Sequence, residues 1–239
     1  SPFKINDIIS RNYILKSLDV AHNLASRKKI KGFINAPINK AIFNRKFLGV
    51  TEYLAKKNRT NKKEVMMIYN KRLAVVPLTT HLEIKNVTNK INTKLITSKV
   101  LTLNASYFKL FKEKPRIAIL GLNPHNSENR RDSIENKTIL PAVKKLCKLG
   151  VDIKGPFPAD TIFNNQKKIN FNVIVGMYHD QVLAAFKALY GYDAINITLG
   201  LNYLRISPDH GVAQDIIGSN KANPQSLITA INFLNKIND

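Results

Sequence analysis

Long apolar runs alternate with amphipathic stretches along most of the chain, and this alternation predicts the class of fold. Five apolar runs are continuous, which is typical of strands that are covered on both faces of a sheet. These runs are GFINAP (32–37), RLAVVPLT (72–79), RIAILGL (116–122), NVIVGMY (172–178) and AINITLG (194–200).

The segments between these runs have the length and the apolar spacing of helices. They comprise residues 14–28, 93–111, 137–150, 180–191 and 223–237, and Pro224 stands at the start of the last one. Strands that alternate with such helices predict an α/β fold with a largely parallel sheet.

A histidine follows three of the predicted strands. His81 ends VPLTTH, His125 ends GLNPH and His179 follows VGMY, although the chain has only five histidines. Open α/β sheets bind ligands beyond the carboxyl ends of their strands, so these imidazoles can converge there. Three nitrogens with one open position suit a divalent metal that acts on a substrate. Taken singly, each histidine has a capping or hydrogen-bonding role as its simplest explanation.

Two aspartates and a group of spaced polar residues extend this candidate site. Asp160 and Asp180 either orient the imidazoles or bind the metal directly. Lys187, Asn196 and Arg205 are spaced nine apart, on a predicted helix, a strand start and a loop. A lysine and an arginine beside one cleft suit an anionic group, and the alternative is that both are solvated surface charges.

The segment DHGVAQDIIGSNKANP (209–224) is polar and contains glycines before the final predicted helix. Such a loop either cradles a nucleotide through backbone amides or is only a turn.

Composition excludes some classes of function. The 38 basic and 16 acidic residues give a net charge of +22. The lysines are dispersed without a dense basic run, so we expect no specific nucleic-acid partner. No apolar run has the length of a membrane span, and the N-terminal residues do not resemble a signal peptide. Cys147 is the single cysteine, which excludes an internal disulfide and fits a reducing cytoplasm. We expect Cys147 at a buried helix position.

Nine short motifs occur together over nearly the whole chain. They are APINK (36–40), TEYLA (51–55), MM (66–67), PLTTH (77–81), GLNPH (121–125), GPFPADT (155–161), MYHDQ (177–181), NITLGL (196–201) and DHG (209–211). In this order the set resembles the 4-hydroxythreonine-4-phosphate dehydrogenase family. The resemblance implies a homodimer with two α/β/α lobes, similar to isocitrate and isopropylmalate dehydrogenases. It assigns residues 1–50 and 206–239 to a cofactor-side lobe, and 51–205 to a lobe for metal, substrate and dimerisation.

The same resemblance implies an activity. The family oxidises the C3 hydroxyl of 4-(phosphooxy)-L-threonine with NAD or NADP, and decarboxylation gives 3-amino-2-oxopropyl phosphate for pyridoxal 5'-phosphate biosynthesis. The expected ligands of one divalent metal (Zn, Mg, Co or Mn), shared across the dimer interface, are His81, His125 and His179. The expected substrate-binding residues are Thr51, Lys187, Asn196 and Arg205. The expected cofactor-binding residues are His210, Gly211 and Asn223. The expected catalytic residues are Asp160, Asp180 and Lys187, with an aspartate as proton relay or support for the imidazoles.

Three departures from the family pattern keep other interpretations open. Val50 stands where the family usually has a histidine that helps to bind substrate, and NSENRRDSIEN (126–136) replaces a glycine-rich acidic stretch. The glycine-rich segment that opens the family's first lobe has no counterpart, so we expect a truncated first lobe and a fragment or processed product. The alternatives are a dehydrogenase of threonate or erythronate 4-phosphate, a metal-dependent hydrolase or lyase, and a non-catalytic binding protein.

Overall fold

A computed structural model describes residues 7–44, 46–60, 63–164 and 170–237 of the 239-residue chain. The strands are β1 (Gly32–Ile34), β2 (Val65–Tyr69), β3 (Ala74–Thr79), β4 (Ile117–Leu120), β5 (Ile153–Phe157), β6 (Val173–Tyr178), β7 (Ile195–Leu199) and β8 (Leu204–Pro208). The helices are α1 (Asp7–Ser26), α2 (Val50–Lys57), α3 (Val87–Lys90), α4 (Thr93–Phe111), α5 (Leu140–Lys148), α6 (Ala159–Ile162), α7 (His179–Tyr190) and α8 (Gln225–Ile237).

The strands of the described residues form one sheet in the order β1-β8-β7-β2-β3-β6-β4-β5. The pairs β1–β8, β3–β6, β4–β6 and β4–β5 are parallel, whereas β2 pairs antiparallel with β3 and β7, and β7 with β8. The predicted α/β fold with a mostly parallel sheet is confirmed. The division of the chain into two lobes at residues 50 and 206 stays a prediction.

Each predicted strand is present, and β2, β5 and β8 are additional. The hairpin between β2 and β3 explains the antiparallel pairing of these two strands, because Asn70 and Leu73 exchange backbone hydrogen bonds of 3.0 and 3.2 Å. The apolar pattern did not predict β5 (IKGPF) and β8 (LRISP), because glycine, proline and charged residues interrupt it.

Apolar side chains cover the sheet on both faces. One cluster packs Ile96 and Leu103 of α4 and Leu146 of α5 against the sheet. The opposite cluster packs Leu183 and Phe186 of α7 against the other face. This two-sided burial is the reason that the strand sequences are continuous apolar runs. Among the described residues, no helix combines the length and apolarity that a membrane span requires.

Cys147 lies on α5 as expected, but the prediction that it is buried is wrong. Ala142, Val143 and Leu146 form the buried stripe of α5, and Cys147 is one residue further round the helix, facing outwards. Its thiol donates to the carbonyl oxygen of Ile153 at 3.3 Å.

Candidate active site

A cleft of about 320 Å3 lies where α2 and α7 face the sheet. Alternate residues of three paired strands form its floor, because side chains two positions apart share one face of a sheet. The register sets Asn196 of β7 opposite Ser207 of β8, and Ile68 of β2 opposite Asn196. Eight of the predicted site residues line this cleft. They are Thr51, His81, His179, Lys187, Asn196, Arg205, His210 and Gly211.

Arg205 lies in β8 rather than in the predicted loop, and its side chain is not a solvated surface charge. The residue is 3% exposed, and its guanidinium donates from Nε to Asn35 Oδ1 at 2.7 Å and from Nη1 to Thr198 Oγ1 at 3.0 Å. Burial lowers the pKa of Arg205 to about 10, which still leaves the group cationic at neutral pH. Both partners are neutral, and no carboxylate of the described residues forms an ion pair with it. A buried cation with neutral partners is suited to an anionic ligand.

Glycine at position 32 sets the distance between β1 and β8. A Cβ atom at Gly32 would lie 2.2 Å from the carbonyl oxygen of Leu204, so a larger residue would push the strands apart. This close approach brings Asn35, just beyond β1, against Arg205.

Lys187 reaches the cleft from α7 and contacts the residue after β8. Its ammonium donates to the backbone oxygen of Asp209 at 2.7 Å and lies 2.9 Å from Asp209 Oδ2. Burial raises the pKa of Asp209, although Lys187 and two nearby histidines oppose the shift. Asn196 Oδ1 is buried without a hydrogen-bond partner among the described residues, and it lines the same cleft.

Thr51 lies in the first turn of α2, next to Val50, and both residues line the cleft. The hydroxyl of Thr51 lies 3.5 Å from that of Thr198, the residue that also accepts from Arg205. The start of α2 therefore closes the cleft above the buried guanidinium. The isopropyl group of Val50 gives this wall an apolar surface.

His81 and His179 lie close together because β3 and β6 are neighbouring parallel strands. Their ring centroids are 6.2 Å apart. His81 Nδ1 lies 3.5 Å from Glu52 Oε1, and His179 Nδ1 lies 2.6 Å from Asp180 Oδ1. Burial opposes ionisation of Glu52, but its contacts with His81, the backbone and Thr80 hold its pKa below the usual value.

His125 is not among the residues that line this cleft. It belongs to a tight turn at Pro124–Asn129, where residues 125–129 have φ between 46 and 56°. Its Nδ1 lies 3.0 Å from Glu128 Oε1, and its side chain is 67% exposed. The buried Glu135 holds this turn by accepting hydrogen bonds from the backbone N–H groups of Leu122 and Asn123 at 3.0 and 2.9 Å.

Three other predicted site residues, Asp160, Asn223 and His210, are exposed. Asp160 is an exposed residue in the first turn of α6 and does not line the cleft. Asn223 Oδ1 accepts from the backbone of Gln225 at 2.9 Å at the start of α8. His210 Nδ1 lies 2.9 Å from the carbonyl oxygen of Gly211, so its ring contacts its own loop.

The sequence reasoning missed several residues that contact predicted site residues, among them Asn35, Glu52, Thr198 and Asp209. Glu52, Thr198 and Asp209 stand within the quoted motifs TEYLA, NITLGL and DHG, so their position in these motifs was the available signal. Asn35 had no such signal, since its partner Arg205 is 170 residues away.

The donors of one chain match part of the expected metal site. The buried Nδ1 of His81 and Oε2 of Glu52 have no hydrogen-bond partner among the described residues, and imidazole suits a borderline divalent metal. Within the residues that the structure describes, no group of three or more histidine, cysteine, aspartate or glutamate side chains is arranged to hold a metal ion.

Comparisons with known proteins agree on one family. The family model described as "Pyridoxal phosphate biosynthetic protein PdxA" matches residues 5–234. A 4-hydroxythreonine-4-phosphate dehydrogenase of Xanthobacter autotrophicus is 37% identical over 242 residues, which cover 98% of this chain and 69% of the relative. Across the curated relatives the chain spans about two thirds of their length, with shares of 69, 61 and 64% for three of them.

Solved structures give the same result. The crystal structure of 4-hydroxythreonine-4-phosphate dehydrogenase from Klebsiella pneumoniae has a TM-score of 0.83 and 31% identity, covering 96% of this chain and 71% of that one. Isocitrate dehydrogenase from Methylococcus capsulatus has a TM-score of 0.52 and 11% identity, covering 85% of this chain and 68% of that one. The second likeness extends to the fold alone.

Proposed function

Because the chain belongs to the pyridoxal phosphate biosynthetic protein PdxA family, whose curated relatives are named as oxidoreductases, we propose that it is a 4-hydroxythreonine-4-phosphate dehydrogenase. In this proposal it oxidises the C3 hydroxyl of 4-(phosphooxy)-L-threonine with NAD or NADP. Decarboxylation then gives 3-amino-2-oxopropyl phosphate for pyridoxal 5'-phosphate biosynthesis in the cytoplasm.

The buried guanidinium of Arg205 is the observation that carries the proposal. A cation that is 3% exposed, with only neutral hydrogen-bond partners, is stabilised by an anion that enters the cleft. A phosphate monoester supplies oxygens that match the planar fork of arginine. Lys187 adds a second cation, and the hydroxyl of Thr51 and the amide of Asn196 add neutral hydrogen-bonding groups on the same cleft.

Binding at the phosphate orients the reacting end of the substrate. Contacts with the phosphate, which takes no part in the oxidation at the neighbouring C3, provide binding energy and fix the position of the carbon that is oxidised. The phosphate group would then lie over the floor of β7 and β8, and the hydroxyl would point towards His81 and His179. Asp180, 2.6 Å from His179 Nδ1, orients that ring or relays a proton. Asp160 is the second proposed relay, and Lys187 the third proposed catalytic residue.

His81 and His179 of one chain would hold the divalent metal, and His125 of a second copy would complete the set in a homodimer with shared sites. His210, Gly211 and Asn223 are the proposed contacts of the nicotinamide cofactor. When bound, the metal supplies charge stabilisation at the substrate oxygen, and the nicotinamide supplies the hydride acceptor.

The test is the formation of reduced nicotinamide from 4-(phosphooxy)-L-threonine by the purified protein. We expect the absorbance of NADH or NADPH to rise when substrate is added. A chelator should stop this rise, and an added divalent metal should restore it. Turnover that requires metal but is indifferent to NAD and NADP would instead support a hydrolase or lyase. Metal binding without any turnover would support a non-catalytic binding protein.

The apolar wall at Val50 favours a second candidate substrate. A side chain without a donor cannot hydrogen-bond to the substrate as the family's usual histidine does, which relaxes selection between related phosphorylated acids. Threonate and erythronate 4-phosphate carry a hydroxyl where 4-(phosphooxy)-L-threonine carries its amine. Assays of the three compounds side by side distinguish the candidates through their kcat/KM values.

A further inference from the structure

The segment after β8 forms a connected set of hydrogen bonds beneath Lys187. Asp209 contacts Lys187 through its backbone oxygen at 2.7 Å and through its carboxylate at 2.9 Å. The backbone N–H of Asp209 donates to Ser226 Oγ at 2.8 Å. Ser226 is fully buried on α8, and its hydroxyl donates to the carbonyl oxygen of Ala194 at 2.5 Å. Asp209 is therefore anchored to α8 and to the start of β7.

This anchoring fixes the position from which Lys187 can offer donors to a ligand. An ammonium group has three N–H donors and no acceptor. One of them binds the backbone oxygen of Asp209, and the ammonium also forms an ion pair with the Asp209 carboxylate at 2.9 Å, so donors remain for a group in the cleft. The Asp209 side chain is 11% exposed and that of Lys187 is 42% exposed, so the carboxylate is the more buried partner of the ion pair.

We infer that Asp209 is a positioning residue that holds the ammonium of Lys187 towards a phosphate oxygen of the substrate. The inference rests on the proposed function, because it assigns a further residue to the same phosphate site. A flexible lysine loses rotamer freedom when it binds an anion, and a prior ion pair removes part of that loss.

Positioning and simple electrostatics make opposite predictions for Asp209→Asn. If Asp209 only contributed negative charge, its removal from an anion site would strengthen the binding of phosphate. If Asp209 positions Lys187, the neutral amide holds the ammonium less firmly, and binding becomes weaker. The direction of the change therefore distinguishes the two roles.

The experiment is calorimetric titration of the protein with 4-(phosphooxy)-L-threonine and, separately, with inorganic phosphate, both without nicotinamide. We expect D209N to bind the phosphorylated compound about threefold to tenfold more weakly than the unmodified chain. The control D215N removes one exposed carboxylate from the same loop and should leave the affinity unchanged. Equal or tighter binding by D209N overturns the inference.

A double-variant cycle tests whether Asp209 acts through Lys187. In that case K187A/D209N binds no more weakly than K187A alone, whereas independent contributions multiply. If the unmodified chain binds inorganic phosphate but not 4-(phosphooxy)-L-threonine, the proposed substrate is wrong, and the phosphate titrations still decide the role of Asp209.

A measurement on the unmodified protein decides the inference if D209N does not fold. In a proton–nitrogen NMR spectrum, the ammonium protons of Lys187 should exchange slowly with solvent. Their signal is identified by its loss in K187R. A Lys187 signal that exchanges as fast as those of the exposed lysines overturns the inference.

Discussion

Arg205 donates its Nε–H to Asn35 Oδ1 across 2.7 Å, which joins β8 to the residue just after β1. The hydrogen bond to Thr198 from Nη1 fixes the plane of the guanidinium against β7. These two contacts leave Nη2 without a partner among the described residues. A fixed fork with unused donors is preorganised for a tetrahedral anion.

Arg205→Met should weaken ligand binding and leave the free energy of unfolding nearly unchanged. We expect at least a hundredfold loss of affinity for 4-(phosphooxy)-L-threonine, since a charge-assisted pair with phosphate contributes about 3 kcal/mol. The free energy of unfolding should stay within about 1 kcal/mol, because removing a buried cation offsets the loss of its two hydrogen bonds. Calorimetric titration and urea unfolding measure the two quantities.

The matched control for that variant is Arg72→Met, which changes an exposed arginine and should alter neither quantity. Ligand affinity retained in R205M would contradict the assignment of Arg205 to the phosphate.

Val50→His should change the substrate preference. An imidazole at the start of α2 adds a hydrogen-bond donor to the apolar wall of the cleft, so we expect the KM for 4-(phosphooxy)-L-threonine to fall about tenfold. Steady-state kinetics with this compound and with threonate 4-phosphate measure the change. Val50→Leu is the apolar control and should not lower KM. A preference that V50H leaves unchanged would show that residue 50 does not select the substrate.

A mixture of inactive variants tests the proposal that each site is shared between two copies. H81A and H125A should each be inactive, but a hybrid dimer contains one site with His81, His179 and the other copy's His125 intact. Random pairing makes half of the dimers hybrid, so about a quarter of the full activity should return.

The control mixture is H81A with H179A. These two ligands come from one chain, so no hybrid restores them together and activity should stay absent. Recovery in both mixtures, or in neither, contradicts the shared arrangement.

The sequence predicted that His81 and His179 lie close together, whereas the role of His125 stays a prediction. His81 and His179 follow β3 and β6, which are neighbouring parallel strands, so the rule about strand ends was sufficient. His125 follows β4, beside β6, but the left-handed turn at residues 125–129 directs it to Glu128. No periodic pattern in the sequence encodes that turn.

The floor of the cleft was less accessible to sequence reasoning. β8 contains a charged residue, and hydropathy assigns such a residue to the surface unless its partners are known. Arg205 is buried because Asn35 and Thr198 accept its hydrogen bonds, and these contacts depend on the pairing of β8 with β1 and β7. The spacing of Lys187, Asn196 and Arg205 nevertheless identified a set that lines one cleft.

Glu135→Gln should destabilise the protein at neutral pH. Burial raises the pKa of this carboxyl, but hydrogen bonds from Asn123, its own backbone, Ser127 and Leu122 outweigh burial and keep the pKa below 4.5. A lowered pKa means that the charged form stabilises the folded state above pH 4.5, and that this stability is lost as the pH falls through the folded-state pKa. We expect a loss of about 2 kcal/mol at pH 7.

Urea unfolding from pH 7 to pH 3 measures this effect. The difference between E135Q and the unmodified chain should be constant above about pH 5 and should shrink below pH 4.5. The control Glu83→Gln alters an exposed carboxylate and should change the stability little. A difference that grows as the pH falls would contradict the role given to Glu135.

The most direct test of the phosphate site is a crystal structure of the protein with 4-(phosphooxy)-L-threonine. We predict phosphate oxygens about 2.7–2.9 Å from Nη2 of Arg205 and from Nζ of Lys187, with the C3 hydroxyl directed at His81 and His179. A phosphate group bound away from Arg205, with the guanidinium still held only by Asn35 and Thr198, would contradict the account.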